Sequence, residues 1–297
     1  MAATEACVSQ SAPTLHRLLT GPTDQAAVDT FLSSFKPSRN NDSLGEFTWV
    51  RLRREHGADD DALEERKDKL RRKGRRVLDK LTDRLEEIRS TAPVRATREE
   101  RSQADLRAEA RELCIASLVK LAKRYQFASG CWHFSVEQHE IDWKWRNVVE
   151  AIVKPDGALA KTGAVHAAKV SAASNHADGK YWLGIYCDDS TDKAAVGRVF
   201  QVLRADLKMT PLHYKLDILM LLGLKKRINP LALPLAYYAR HDFMTPEERR
   251  AEQDVGTRVK SRTLEDEQSA GLADGFESVD ESDGEEAPPP KRVKVRA

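Results

Sequence analysis

Cys131, His133 and His139 fall within nine positions of the stretch GCWHFSVEQHEIDWKW, residues 130–145. The stretch also carries three of the chain's five tryptophans, Trp132, Trp143 and Trp145. Two chemistries use such residues. A zinc site needs three or four soft or borderline ligands converging on a tetrahedron. An aromatic platform needs indole faces on which bases stack. On a strand, Cys131 and His133 share one face with Ser135, and Trp132, Phe134 and Val136 share the other. No CxxC or HxxxH pair completes a ligand set, so no metal is expected. The strand is expected to expose Cys131, His133 and Ser135, which leaves Trp143 and His133 as the exposed pair to meet a ligand.

Nucleophilic and phosphate-loop chemistry is not written into the chain. No GxSxG elbow and no GxxxxGK[ST] loop occurs, and Gly157 and Gly163 read as isolated turn glycines. Asp188 and Asp189, followed by Asp192, could ligate a hard cation. With Lys215 they would be the candidates of an enzyme acting on a phosphorylated small molecule. The simpler expectation is that they close a strand, with Asp189, Ser190 or Thr191 capping the next helix. No cofactor motif is readable, and a non-enzymatic role is preferred.

Cationic residues offer more. Lys169 and Ser171 point the same way on one strand, Arg198 starts a helix and Lys215 follows Tyr214. If they converge, they form a small basic groove for a phosphate or for RNA, with Trp143 as its aromatic member. A denser patch is RKDKLRRKGRR, where Arg66, Lys67, Lys69, Arg71, Arg72, Lys73, Arg75 and Arg76 supply eight cations in eleven residues. On a helix they spread around the perimeter, which suits nonspecific backbone binding or plain solvation. The terminal PPPKRVKVR, residues 288–296, places Lys291, Arg292 and Lys294 in an import-signal pattern behind helix-breaking prolines. Ser278 and Ser282 each precede a glutamate by three, in an acidic context that suits phosphorylation.

Periodicity supplies the elements that must hold these groups. Asp24 is a cap candidate before Ala27, Val28, Phe31 and Leu32 at helical spacing. EFTWVRL, residues 46–52, reads as a strand. Residues 59–92 form a long charged helix with a thin stripe of Leu63, Leu70, Val77, Leu81, Leu85 and Ile88. Thr97 with Glu100 reads as a capping box. The helix after it is expected to put Leu106, Ala110, Leu113, Ser117 and Leu121 on its packed face, with Cys114 and Leu118 beside them and Cys114 as a core side chain. From Gly130 the pattern is α+β: strand 131–136, helix 137–153, strands 167–174 and 181–187, helix 192–207. The run at 217–224 fits a strand or a buried helix. Trp132, Trp145 and Trp182 are all expected in the core. Thr245 caps a short polar helix.

Composition bounds the classes. The formal net charge is +2, with 40% hydrophobic and 32% charged residues. Any nucleic-acid affinity must therefore come from a local patch. Cys7, Cys114, Cys131 and Cys187 are dispersed, which suits free thiols in a reducing compartment. No apolar run approaches a bilayer span of about 20 residues, and Met1 to Pro13 has no signal-peptide pattern. Leu264 to Glu286 holds ten acidic residues and no basic one, too little apolar surface to offset its ordering entropy.

Several stretches together carry a resemblance: GCWHFSV with WKW downstream, LAKTGAVHAAKVS, LGIYCDDSTDKAAVGRVFQVLR and LHYKLDILMLLGL. They resemble the family that includes the basophilic leukaemia expressed protein, a domain of unknown function. Its fold is similar to that of translation initiation factor 4E. The resemblance implies an antiparallel sheet backed by helices on one face, over roughly residues 24–240, with a charged helical insertion at about 55–125. It implies no particular activity. The expected organisation is a disordered terminus at 1–23, the α+β domain at 24–243 and a polar helix with a disordered acidic tail at 244–297. The expected function is binding of RNA or another phosphate-bearing ligand by a basic sheet face, in a nuclear protein that shuttles with the cytoplasm. The expected partners are RNA and a nuclear import receptor. The alternative is an adaptor that holds a protein partner on helices 59–125.

Overall fold

The computed structural model describes residues 18–21, 23–39, 47–51, 60–171, 179–225 and 228–252. The expectations for residues 1–17, the acidic tail, the import signal 288–296, Ser278 and Ser282 concern residues outside these. Contacts divide the chain into Met1–Met244 and Thr245–Ala297.

Seven strands build one sheet among the described residues: β1 (Leu18–Thr20), β2 (Phe47–Arg51), β3 (Gly130–Glu137), β4 (Val165–Ser171), β5 (Lys180–Cys187), β6 (His213–Leu216) and β7 (Tyr238–Ala239). Their spatial order is β1-β2-β4-β5-β3-β6-β7. Every pairing is antiparallel except that of β1 with β2. The protein is thus a mixed α/β structure with a mostly antiparallel sheet.

Six α-helices have defined bounds: α1 (Gln25–Ser34), α2 (Asp60–Thr91), α3 (Gln103–Arg124), α4 (Gln138–Val153), α5 (Lys193–Ala205) and α6 (Asp217–Leu221). Asp24 caps α1, accepting from Ala27 N at 2.8 Å. Such a bond satisfies one of the four amides that a helix start leaves unpaired. α4 turns Ile141, Trp145, Val148, Val149 and Ile152 into the core, and α5 turns in Val196, Val199, Phe200 and Leu203. They meet Trp132, Phe134, Val136, Val170, Leu183 and Ile185 from one face of the sheet. Ser38 ties the turn before β2 to α4, donating through Oγ to Asp142 Oδ2 at 2.6 Å.

The charged helices pack on each other. Leu70 and Leu81 of α2 join Cys114, Ile115, Leu118 and Ala122 of α3 in a second core, completed by Leu216, Ile218 and Leu219. α3 differs from expectation in two ways. Its cap is Ser102, which accepts from Asp105 N at 3.2 Å, while Thr97 closes only a local turn with Glu100 N at 3.0 Å. Cys114 and Leu118 are buried as expected, with Ala122, but Leu113, expected on the packed face, is exposed. The start shifts because Gln103 Nε2 donates to Arg89 O and Ala92 O, anchoring the new helix to the end of α2. The ambiguous apolar run at 217–224 resolves as the short helix α6, Asp217–Leu221, which follows β6 directly. In the second unit residues 246–252 are helical. Thr245 and Glu248 exchange bonds, Thr245 N donating to Glu248 Oε2 at 2.7 Å and Glu248 N to Thr245 Oγ1 at 3.2 Å. Among the described residues no helix is long and apolar enough to cross a membrane.

Candidate functional site

The sheet face opposite α4 and α5 concentrates the chain's chemistry. Register fixes its rows. Lys169, Gly184, His133 and His213 lie side by side across β4, β5, β3 and β6. The next row holds Ala167, Tyr186, Cys131 and Lys215. Trp182 belongs to this face too, since alternation puts Leu183 and Tyr181 in the core on the other. Trp49 of β2 is the register partner of Lys169; its side chain lies outside what is described.

Side-chain geometry binds this set together. Trp182 Nε1 donates to His133 Nδ1 at 2.7 Å. The imidazoles of His133 and His213 stack, with centroids 5.3 Å apart and planes at 19°. Lys169 Nζ lies 4.9 Å from the Trp182 ring centroid and 5.3 Å from that of Tyr186, cation–π distances to both. Ser171 Oγ accepts from Trp182 N at 2.9 Å, so the serine positions β5.

Burial and charge set the protonation states. Desolvation, with Lys215, His213 and Lys169 nearby, lowers the His133 pKa to about 2. Desolvation and then Lys215 lower that of His213, and burial lowers that of Lys215 itself. Burial raises the pKa of Cys131 and Tyr186, keeping both protonated. His133 Nε2 and His213 Nε2 are buried with no hydrogen-bond partner. Lys215 is half-buried and makes no ion pair among the described residues.

Gly184 permits this arrangement. A methyl group there would collide with the Trp182 ring and with Cys131 Sγ. The indole therefore crosses the glycine to reach His133. Gly184→Ala is expected to displace that ring, cost about 1–3 kcal/mol by overpacking, and change Trp fluorescence along with the melting temperature. An unchanged emission spectrum and melting curve would contradict it.

The sequence expectations divide on this geometry. Lys169, Ser171 and Lys215 do share the face. Arg198 does not, because α5 packs on the opposite side of the sheet. Trp143 also departs: it is exposed on α4, beside Lys144 at 5.5 Å, and cannot pair with His133. Cys131 and His133 are 0% and 5% exposed, where an open strand face was expected. His139 is exposed at the start of α4. Among the described residues no group of three or more His, Cys, Asp or Glu is placed to hold a metal. Trp182, expected in the core, lies on the site face. Asp192 caps α5, accepting from Ala195 N at 2.9 Å, in place of Asp189, Ser190 or Thr191. Asp189 instead accepts from Thr191 N at 2.8 Å, and Asp188 lies 3.0 Å from His166 Nδ1, an ion pair only when that ring is protonated.

The basic run lies on α2, where Leu70 and Gly74 are buried. A Cβ at Gly74 would press on the end of the Leu222 side chain, which would have to shift. The cations occupy the remaining perimeter. Lys67, Lys69 and Arg71 pair with Glu64, Glu65 and Asp68, each at 2.6 Å. Arg66 donates to Gln126, and Lys73 lies 5.7 Å from the Tyr125 centroid. Arg72, Arg75 and Arg76 are exposed. The run is a partly neutralised, solvated surface, less organised than the sheet face.

His213 and Tyr186 escaped the sequence reading. The available signal was alternation: HYK in β6 puts His213 and Lys215 on one side of Tyr214, and YWLGIY does the same for Trp182 and Tyr186. Among curated proteins no relative matches the chain. Residues 6–223 match the family model described as basophilic leukemia-expressed protein Bles03, well over half of the chain, and this protein belongs to that family.

Proposed function

We propose that the protein is a non-enzymatic binding module that takes a phosphate-bearing ligand, with single-stranded RNA as the preferred carrier, on the sheet face of Lys169 and Lys215. The observation that carries this reading is Lys215. A half-buried ammonium without an ion pair is costly to keep, and an incoming anion would offset that cost. Lys169 adds a second positive charge. Their Cα atoms are roughly 15 Å apart, from three strand spacings and one two-residue step, a span that suits more than one phosphate. The 4E-like fold that the family resemblance implies would favour a nucleotide carrier. That factor's two-tryptophan sandwich has no counterpart among the described side chains, because Trp132 and Trp145 are buried against the helices and Trp182 is held by His133. Phosphate contacts thus carry more of this reading than base stacking does.

The test is the salt dependence of binding to a labelled single-stranded RNA, read by anisotropy. Lys215→Ala is expected to weaken binding about 5- to 10-fold and to lower the slope of log K against log salt by about 0.7, one phosphate contact. Equal affinity and slope in wild type and variant would remove the reading. For the tail, a fluorescent fusion carrying Lys291→Ala and Arg292→Ala is expected to lose nuclear accumulation. Retained accumulation would contradict the import-signal reading.

A further inference from the structure

The Trp182–His133 contact fixes a proton. An indole N–H can only donate. At 2.7 Å from Trp182 Nε1, His133 Nδ1 must therefore be an acceptor and carry no hydrogen. The ring is neutral, because an imidazolium would set one N–H against another, and its single hydrogen lies on Nε2. That Nε2–H is buried and has no acceptor. Leaving a buried donor unpaired costs about 1–3 kcal/mol, and such groups in native structures call for an explanation.

The neighbours define what would complete it. His213 stacks on the same ring, and its own Nε2 is also unpartnered. Lys215 lies two residues further along β6 on the same face, and Lys169 lies in the His133 row. An N–H among positive charges pairs with neither a cation nor another donor; it donates to an anionic oxygen. We propose that His133 is the neutral hydrogen-bond donor of the sheet-face site, locked in its Nε2–H tautomer by Trp182, and that it receives an oxyanion oxygen of the ligand. This rests on the reading of the sheet face as a phosphate-binding surface and names the atom that receives the ligand. Nε2 is closed to solvent, so the oxygen reaches it only with a local rearrangement of the face.

Long-range ¹⁵N–¹H correlation of the histidine rings in the full chain tests this. The free protein should show His133 with a bare Nδ1 and a protonated Nε2. Inorganic phosphate and the single-stranded RNA form one arm, and citrate the other. The Nε2 proton should move downfield with phosphate and RNA; movement with citrate alone would assign the site to carboxylates. His133→Gln keeps an acceptor and a donor and should bind within about threefold of wild type. His133→Leu keeps neither and should lose about tenfold, the equivalent of one net hydrogen bond. Both variants are checked by circular-dichroism melting, and the tautomer is read on wild type, which needs no variant. An Nδ1–H tautomer, or His133 signals unmoved at saturating ligand, overturns the inference and implies a bound water only. Binding with His133 unmoved leaves the basic face standing; no binding in any arm removes both.

Discussion

Trp132→Ala is expected to destabilise the protein by about 4 kcal/mol, the range for removing a fully buried large aromatic. Trp132 is 0% exposed and packs against Phe200, Tyr214 and Phe243 at centroid distances of 5.3, 5.1 and 5.6 Å. These neighbours come from α5, β6 and the turn Arg240–Phe243, so one side chain joins elements far apart in sequence. Alanine would leave a cavity that the sheet on one side and α5 on the other cannot close. For a domain of this size the loss corresponds to roughly 8–16 °C in melting temperature. Trp132→Phe should cost much less, because it keeps most of the ring volume and removes an indole N–H that has no partner. Urea unfolding of both variants measures this. Equal losses would place the energy in the N–H, against the packing account.

The second large effect is acid destabilisation through His133. Its pKa is lowered from 6.5 to about 2, first by burial and then by Lys215, His213 and Lys169. The unfolded chain binds this proton near pH 6.5 and the folded one does not. The sign follows: stability is fully present above pH 6.5 and falls as the pH drops toward 2. By pH 4.5 the loss from this group is about 2–3 kcal/mol, two pH units at 1.36 kcal/mol each. Lowering of the His213 pKa acts in the same direction. His133→Gln removes the titration while keeping a donor and an acceptor. The variant should therefore lose that much less stability between pH 7 and 4.5, read by urea unfolding at each pH. Identical pH profiles would mean that the folded His133 takes up its proton as readily as the unfolded chain does, against the account of its bond from Trp182.

Local features were readable in the sequence for local reasons. Asp24 is an acceptor before an apolar periodicity. The stripe through Leu70, Leu81 and Ile88 sets the extent of α2. The alternation of β3 puts Trp132 and Phe134 inward, and Trp145 follows on the helix face that packs there. GCWHFSVEQHEIDWKW is therefore core strand and core helix, as its spacing indicates. The site was less readable because it is a property of strand order. β4, β5, β3 and β6 are neighbours in space but out of order in sequence, and only that order sets His133 between Trp182 and His213. Trp182 misled because an indole among Tyr181, Leu183 and Ile185 looks like core, although period-two alternation turns it to the other face. Arg198 was misplaced because a residue near a helix start has no sequence mark for which side of a sheet the helix covers. In α3, Leu113 and Cys114 compete for the packed face, and the partner helix selects Cys114.

The proposed function puts the phosphate-bearing ligand on the face of Lys169, His133, His213 and Lys215, not on the basic run of α2. Backbone and side-chain chemical shifts of the full chain, mapped while single-stranded RNA is added, test it most directly. The account predicts saturable shifts at Lys169, Trp182, His133, His213 and Lys215, with residues 66–76 little moved. Shifts confined to residues 66–76, or no saturable shift on the sheet, would contradict it.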